Sequence, residues 1–227
     1  MRNIIILMAM AVVLGLSASS ALAQQQPVRL GIKAGLNMAN WQGESVKSAN
    51  SLIDFTNGAV TQRMREGFHA GAFISIPIAP GFEIEPGLLY SQKGTRLTGT
   101  LPFEITDILN VRATLTNKAE YLDLPILAKV YVGEGFHIFA GPQVSYLLSN
   151  KVRARAGALG INLLNTEWDM KSGMREIDFA LTGGVGYRFN SGFNLSAGYD
   201  FGLSPIDNAA TFRTYNSVVK ASVGFAF

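Results

Sequence analysis

Two histidines, His69 and His137, are the only imidazoles in the chain, and its hydroxyl and carboxyl groups are spread rather than clustered. An imidazole held between a hydroxyl and a carboxylate could run acyl transfer, provided the fold brought all three within hydrogen-bond reach. Neither histidine is accompanied by a G-x-S-x-G elbow, and no pair of potential ligands has metal-site spacing. There is no cysteine, which excludes disulfides and thiolate chemistry. Gly183-Gly184-Val185-Gly186 has the look of a phosphate loop, but it lies inside a strand pattern and opens no helix. No catalytic residue, cofactor or metal ligand is assigned. Asp123 or Glu66 could pair with His69, but a satisfied structural histidine is the expected reading.

The charged residues have a regular setting. Lys33, Glu83, Glu85, Lys93, Asp123, Lys129, Asp178, Arg188, Asp200 and Lys220 all fall in runs where every second residue is apolar. Such a period of two belongs to a strand with one apolar face. The last run shows it best: Val219, Ala221, Val223, Phe225 and Phe227 alternate with Lys220, Ser222, Gly224 and Ala226. Counting these runs predicts eight strands, at 28–40, 67–78, 82–93, 120–132, from 136, 176–189, 193–203 and 216–227. Pro80-Gly81, Gly133-Glu134-Gly135 and Asn190-Ser191-Gly192 make three tight turns. The remaining connections (41–66, 94–119, the stretch to 175, and 204–215) are long, and short and long connections alternate strictly. A short helix is expected within 45–55, a bulge near Pro86, and a second bulge or break near 118–121, where the apolar phase switches from odd to even positions.

This pattern implies an all-β fold, an eight-stranded antiparallel up-and-down transmembrane β-barrel, with short turns at one end and long loops at the other. Aromatics mark both ends: Phe82, Phe136, Phe189, Phe193, Phe225 and Phe227 by the short turns, and Trp41, Phe68, Tyr90, Tyr121, Tyr146, Phe179 and Tyr199 toward the loops. The polar faces then fill a narrow lumen, where opposite charges must pair. Lys151, Arg153 and Arg155 fall just beyond the loop-side belt, where a basic stripe could contact lipopolysaccharide phosphates.

The N-terminus sets the compartment. Arg2 precedes an uncharged apolar run, 4–16, and Ala21-Leu22-Ala23 supplies an A-x-A site. This is a signal peptide, 1–23, with cleavage after Ala23 and a barrel domain over 24–227. Mean hydropathy is +0.21 although no run reaches the length of a transmembrane helix. The formal charge of +3 is too small to point to nucleic acid.

Leu30-Gly31-Ile32-Lys33-Ala34-Gly35-Leu36-Asn37, Leu88-Leu89-Tyr90-Ser91-Gln92-Lys93-Gly94 and Tyr121-Leu122-Asp123-Leu124-Pro125-Ile126-Leu127 resemble segments of the PorT-type outer-membrane β-barrel proteins of Bacteroidota. The resemblance implies a small outer-membrane barrel. The family's namesake takes part in type IX protein secretion, and no functional residue transfers with the likeness. The expected role is non-enzymatic, structural or interactive through long extracellular loops, with association with protein secretion as its more specific form. The expected partners are outer-membrane lipids, lipopolysaccharide, a protein at the loops and the assembly machinery, which would read the Phe225–Phe227 terminus. Two alternatives stand beside it: an outer-membrane lipid-modifying enzyme, and a soluble lipocalin-like carrier with its apolar faces inward.

Overall fold

The computed structural model describes residues 27–43, 60–100, 112–158, 161–207 and 213–227. The signal peptide expected over 1–23, the short helix expected within 45–55 and parts of the long connections expected at 41–66, 94–119 and 204–215 lie outside the described residues. The strands are β1 (Arg29–Gly43), β2 (Val60–Ala79), β3 (Phe82–Lys93), β4 (Thr95–Thr100), β5 (Arg112–Val132), β6 (Phe136–Ala158), β7 (Ile161–Asp169), β8 (Ile177–Arg188), β9 (Phe193–Gly202) and β10 (Thr214–Ala226). All pair antiparallel. β1, β2, β3, β5, β6, β8, β9 and β10 form a ring, closed by β10 on β1 from Gly31↔Ala226 to Gly43↔Thr214.

The register fixes the size of the ring. Stepping sideways from His137 passes through Gly186, Ser196, Ser222, Gly35, His69, Ser91 and Tyr121, and returns to β6 at Leu147. One circuit therefore climbs ten residues, from 137 to 147. With usual strand spacings, eight strands at this stagger tilt by about 40° around a cylinder of about 8 Å radius. Side chains fill such an interior.

Alternation sets the two faces. Leu30, Ile32, Leu36, Ile126, Val130, Ile138, Val185, Leu195 and Val223 are exposed on the outside, while Asn37, His69, Glu85, Asp123 and Lys129 between them are buried. An inside-out distribution of this kind suits an apolar solvent around the wall. It also contradicts the carrier arrangement, in which the apolar faces would point inward.

The three tight turns lie at one end, with Gly81, Gly133 and Gly192 in the left-handed region. At the other end the strands run further than their hydropathy suggests. β4 continues β3 beyond Gly94 and pairs with β2 and β5; among the described residues β7 pairs with β6 alone. Much of what reads as loop is thus an extended sheet above the barrel. The bulge or break expected near 118–121 is not in β5, where Asn117, Ala119, Tyr121 and Asp123 keep one inward face; the register shift between Glu120 and Tyr121 comes from an extra residue, Leu148, in β6.

Pro86 does not carry the expected bulge. The β2–β3 register is unchanged across it, and the ladder simply has no pair between Phe73↔Gly87 and Ile76↔Ile84; the shift lies at the turn, between Pro77 and Ala79. The missing N–H removes a rung without requiring an extra residue.

Candidate functional site

The interior is the most elaborate constellation in the molecule. At the short-turn end, Arg188 of β8 donates through Nη1 and Nη2 to the two oxygens of Glu83, each at 2.7 Å. Ser75 and Tyr131 also donate to Glu83, at 2.7 and 3.0 Å. Above this layer Glu85 accepts from Lys33 at 2.8 Å and from Lys129, and both ammoniums lie over the Phe73 ring. At mid-height Lys93 donates to Asp123 at 2.8 Å and to Ser145 at 2.9 Å. Lys220 lies between Asp200, at 2.5 Å, and Asp123, at 3.5 Å. Thr182 and Gln143 complete the shell of Asp200. Toward the loops Asp178 accepts from Asn216 at 2.8 Å and Ser204 at 3.0 Å.

These are the residues that alternation assigns to the lumen, and the ring brings them into one stack. Five cations (Lys33, Lys93, Lys129, Arg188, Lys220) form ion pairs with four carboxylates (Glu83, Glu85, Asp123, Asp200), a fifth, Asp178, is held by neutral donors, and all are buried or nearly so. A stack so neutralised presents no single-sign field to a passing ion. Breaking any one pair would strand a buried charge at a cost of about 3–5 kcal/mol.

The histidines join this packing separately. His69 is paired with neither Asp123 nor Glu66. Its Nδ1–H donates to Asn37 Oδ1 at 2.7 Å, and the Ser222 hydroxyl donates to its Nε2 at 2.8 Å. The amide of Asn37 is oriented by Nδ2, which donates to Ser91 at 3.0 Å and to the Gln92 carbonyl at 3.0 Å. A serine–histidine–asparagine chain has the connectivity of a nucleophile relay, and sequence reasoning misses it because Ser222 and His69 lie 153 positions apart. However, Ser222 alternates with the outward Ala221 and Val223, which places its hydroxyl on the sealed side of the wall. His69 also sits mid-strand, since β2 runs from Val60 to Ala79. His137 lies by the short turn, with Nδ1 3.3 Å from the Gly135 carbonyl and its ring against Tyr131 and Phe139. No group of three or more potential metal ligands exists among the described residues.

The aromatic ends are partly as the sequence suggests. Phe136, Phe189 and Phe193 are exposed around the short turns; Phe225 stacks edge-on with Phe193 and with Phe227, at 6.1 and 5.2 Å between ring centres. Phe227 donates its N–H to Leu30 at 2.8 Å, so the terminus is stitched to β1. Phe68 and Tyr90 meet at 5.6 Å on the loop side. Two members leave the belt. Tyr121 is fully buried, with its hydroxyl 3.4 Å from Asn216 and Lys93 over its ring. Trp41 shares the inward face of its register partner Asn216. Both follow the strand's alternation rather than the aromatic preference for its end.

The basic stripe is on the extended sheet. Lys151 is 3.7 Å and Arg153 2.8 Å from Glu167 of β7, and Lys118 of β5 is 3.4 Å from the same carboxylate. Arg155 is opposite Thr114 and Asn165 and has no ion pair among the described residues. Glu167 titrates below the usual glutamate range: desolvation, the largest single influence, opposes ionisation and is outweighed by the charges and hydrogen bonds of Lys118 and Arg153 together.

A family model described as "Outer membrane protein beta-barrel domain" matches residues 22–208. The closing strand β10 lies beyond the matched stretch. No curated protein matches the sequence. Among solved structures, the chain is similar to Ail, the attachment invasion locus protein of Yersinia pestis, at 10% identity and a TM-score of 0.43, covering 89% of this chain and 100% of that one. It is similar to Neisserial surface protein A at 13% identity and a TM-score of 0.41, with the same coverage. The translocator domain of the autotransporter NalP from Neisseria meningitidis matches at 10% identity and a TM-score of 0.30, covering 96% of each chain.

Proposed function

Because this chain belongs to the outer membrane protein beta-barrel domain family, we propose that it acts there as a non-enzymatic barrel with a structural or interaction role, exerted through its extended strands and extracellular loops. The observation that carries the reading is the self-neutralised interior, where five cations and five carboxylates fill the lumen. With the interior spent on pairing, the surfaces left for work are the outer wall and the sheet above it. The Ser222–His69–Asn37 chain serves here to orient buried polar groups.

In this reading the signal peptide, 1–23, is cleaved after Ala23, and 24–227 insert as one domain. The terminus at Phe225 and Phe227 is the signal for the assembly machinery. The loops engage a protein partner, and the PorT-type segments noted above favour one connected with secretion. Cross-linking from the loop side of intact cells, followed by mass spectrometry, tests the partner; N-terminal sequencing of the same purified protein tests the cleavage. Bilayers containing the purified chain should show no ion conductance. Steady unitary currents abolished by replacing Asp200 or Lys220 would overturn the sealed-interior reading, and esterase activity lost on S222A would replace it with an enzymatic one.

A further inference from the structure

The bulge at Leu148 has a consequence for every charge above it. Below the bulge, Tyr146 and Val144 face outward and Leu147 and Ser145 inward; above it the phase is reversed. Asn150 pairs with the inward Ala119, and Lys151 lies directly opposite Lys118, on the face that continues the apolar outer wall. Uninterrupted alternation would send Lys151, Arg153 and Arg155 inward. One extra residue turns all three out.

Residues directly opposite in an antiparallel ladder share a face. One row of this sheet therefore reads Arg63, Arg96, Thr116, Arg153 and Glu167 across β2, β4, β5, β6 and β7. The next row down carries Lys118, Lys151 and Asp169. Arg63 opposite Arg96 and Lys118 opposite Lys151 are like-charge pairs in direct register, an arrangement that destabilises a sheet unless an anion lies over it. Glu167 alone answers Lys118, Lys151 and Arg153, while Arg63 and Arg96 have no ion pair among the described residues. Asp169, opposite Lys151, and Glu120 and Glu66, below, are further acidic groups on this face.

We propose that this outward face is a docking site for the phosphates of outer-leaflet lipopolysaccharide, centred on Lys118, Lys151 and Arg153 and flanked by Arg63, Arg96 and Arg155. The proposal rests on the membrane-barrel reading above. Height and continuity select a lipid over a soluble anion. Lys118 is four residues beyond the outward Leu122, whose row contains Tyr90 and Tyr146. At the tilt derived above, this puts the ammonium level roughly 10 Å beyond that row, within the headgroup zone. Lys171 bridges the two levels, with its ammonium 5.8 Å from the centre of the Tyr146 ring. An acyl chain against the apolar wall and a phosphate on the basic rows would be held by one continuous surface.

The test uses the full mature chain in phosphatidylcholine nanodiscs doped with either lipid A or dephosphorylated lipid A, with retention of labelled lipid measured by pull-down. Each surface cation near an anionic headgroup contributes about 1 kcal/mol, roughly fivefold. The double variant Lys118→Gln/Lys151→Gln should therefore retain lipid A about 25-fold more weakly, and Glu167→Gln should retain it more strongly. Dephosphorylated lipid A should not be enriched, and inorganic phosphate should not displace the lipid. Equal retention by the double variant, equal retention of the dephosphorylated lipid, or displacement by inorganic phosphate would each overturn the proposal. Heat-modifiable mobility is read on the same discs. A chain that fails to insert refutes the barrel reading itself, whereas one that inserts and retains no lipid refutes only the docking site.

Discussion

Glu85→Gln is the sharpest perturbation of the interior. The carboxylate is 1% exposed and is the shared counter-charge of Lys33, at 2.8 Å, and Lys129. Glutamine keeps the shape and one acceptor oxygen but removes the charge, leaving two ammoniums together over the Phe73 ring. Removing one partner of a buried pair costs about 3–5 kcal/mol, and two stranded cations place this variant at the upper end. Adding Lys129→Met removes one stranded charge and should recover more than half of the loss. Urea unfolding of the barrel in lipid vesicles, followed by tryptophan fluorescence and electrophoretic mobility, measures both variants. A Glu85→Gln barrel within about 1 kcal/mol of the parent would refute the claim that the lumen is a filled stack of buried ion pairs.

Other outcomes follow from the same geometry. Ser222→Ala removes the hydroxyl donor to His69 and should cost about 1 kcal/mol in the same unfolding assay. Deleting 225–227 removes the stitch from Phe227 to Leu30 and the ladder pair Ile32↔Phe225, so assembly in cells should fall, read as loss of the heat-modifiable band. Gly141→Ala would put a methyl group 1.9 Å from the Ile126 carbonyl oxygen in the wall, and should slow or block folding into vesicles. Glu167 has a depressed carboxyl, so its links to Lys118, Lys151 and Arg153 are present above the ordinary glutamate range and are lost as pH falls through its own lower value; carboxyl carbon shifts in an NMR titration should show this, and an ordinary midpoint would contradict it.

The barrel was legible because a thin wall between lipid and a polar interior writes its two faces into every strand with a period of two. Lys220 could be assigned inward from Val219 and Ala221 alone, and its carboxylate partners had to lie on other strands. Which partner it meets was not legible. Asp200 and Asp123 reach it only through a ten-residue stagger, and that stagger is a property of the closed ring rather than of any segment. Register also made the Ser222–His69–Asn37 chain, which has no local signature. The basic stripe shows a different limit. Its charges are plain in the sequence, but their direction depends on one extra residue, Leu148, inserted in an otherwise continuous alternation. The strand extensions were missed because above the apolar wall a strand need not be hydrophobic on either face: Thr95–Thr100 carries only one large apolar residue, Leu97.

The absence of cysteine allows the central claim to be tested one residue at a time. Single cysteines placed at 219 through 223 of β10, labelled with a fluorophore in bilayers containing a lipid-phase quencher, report which face meets the membrane. Strong quenching is expected at 219, 221 and 223 and weak quenching at 220 and 222. Uniform quenching, or an alternation of the opposite phase, would contradict a barrel whose apolar face looks at lipid and whose charges close the lumen.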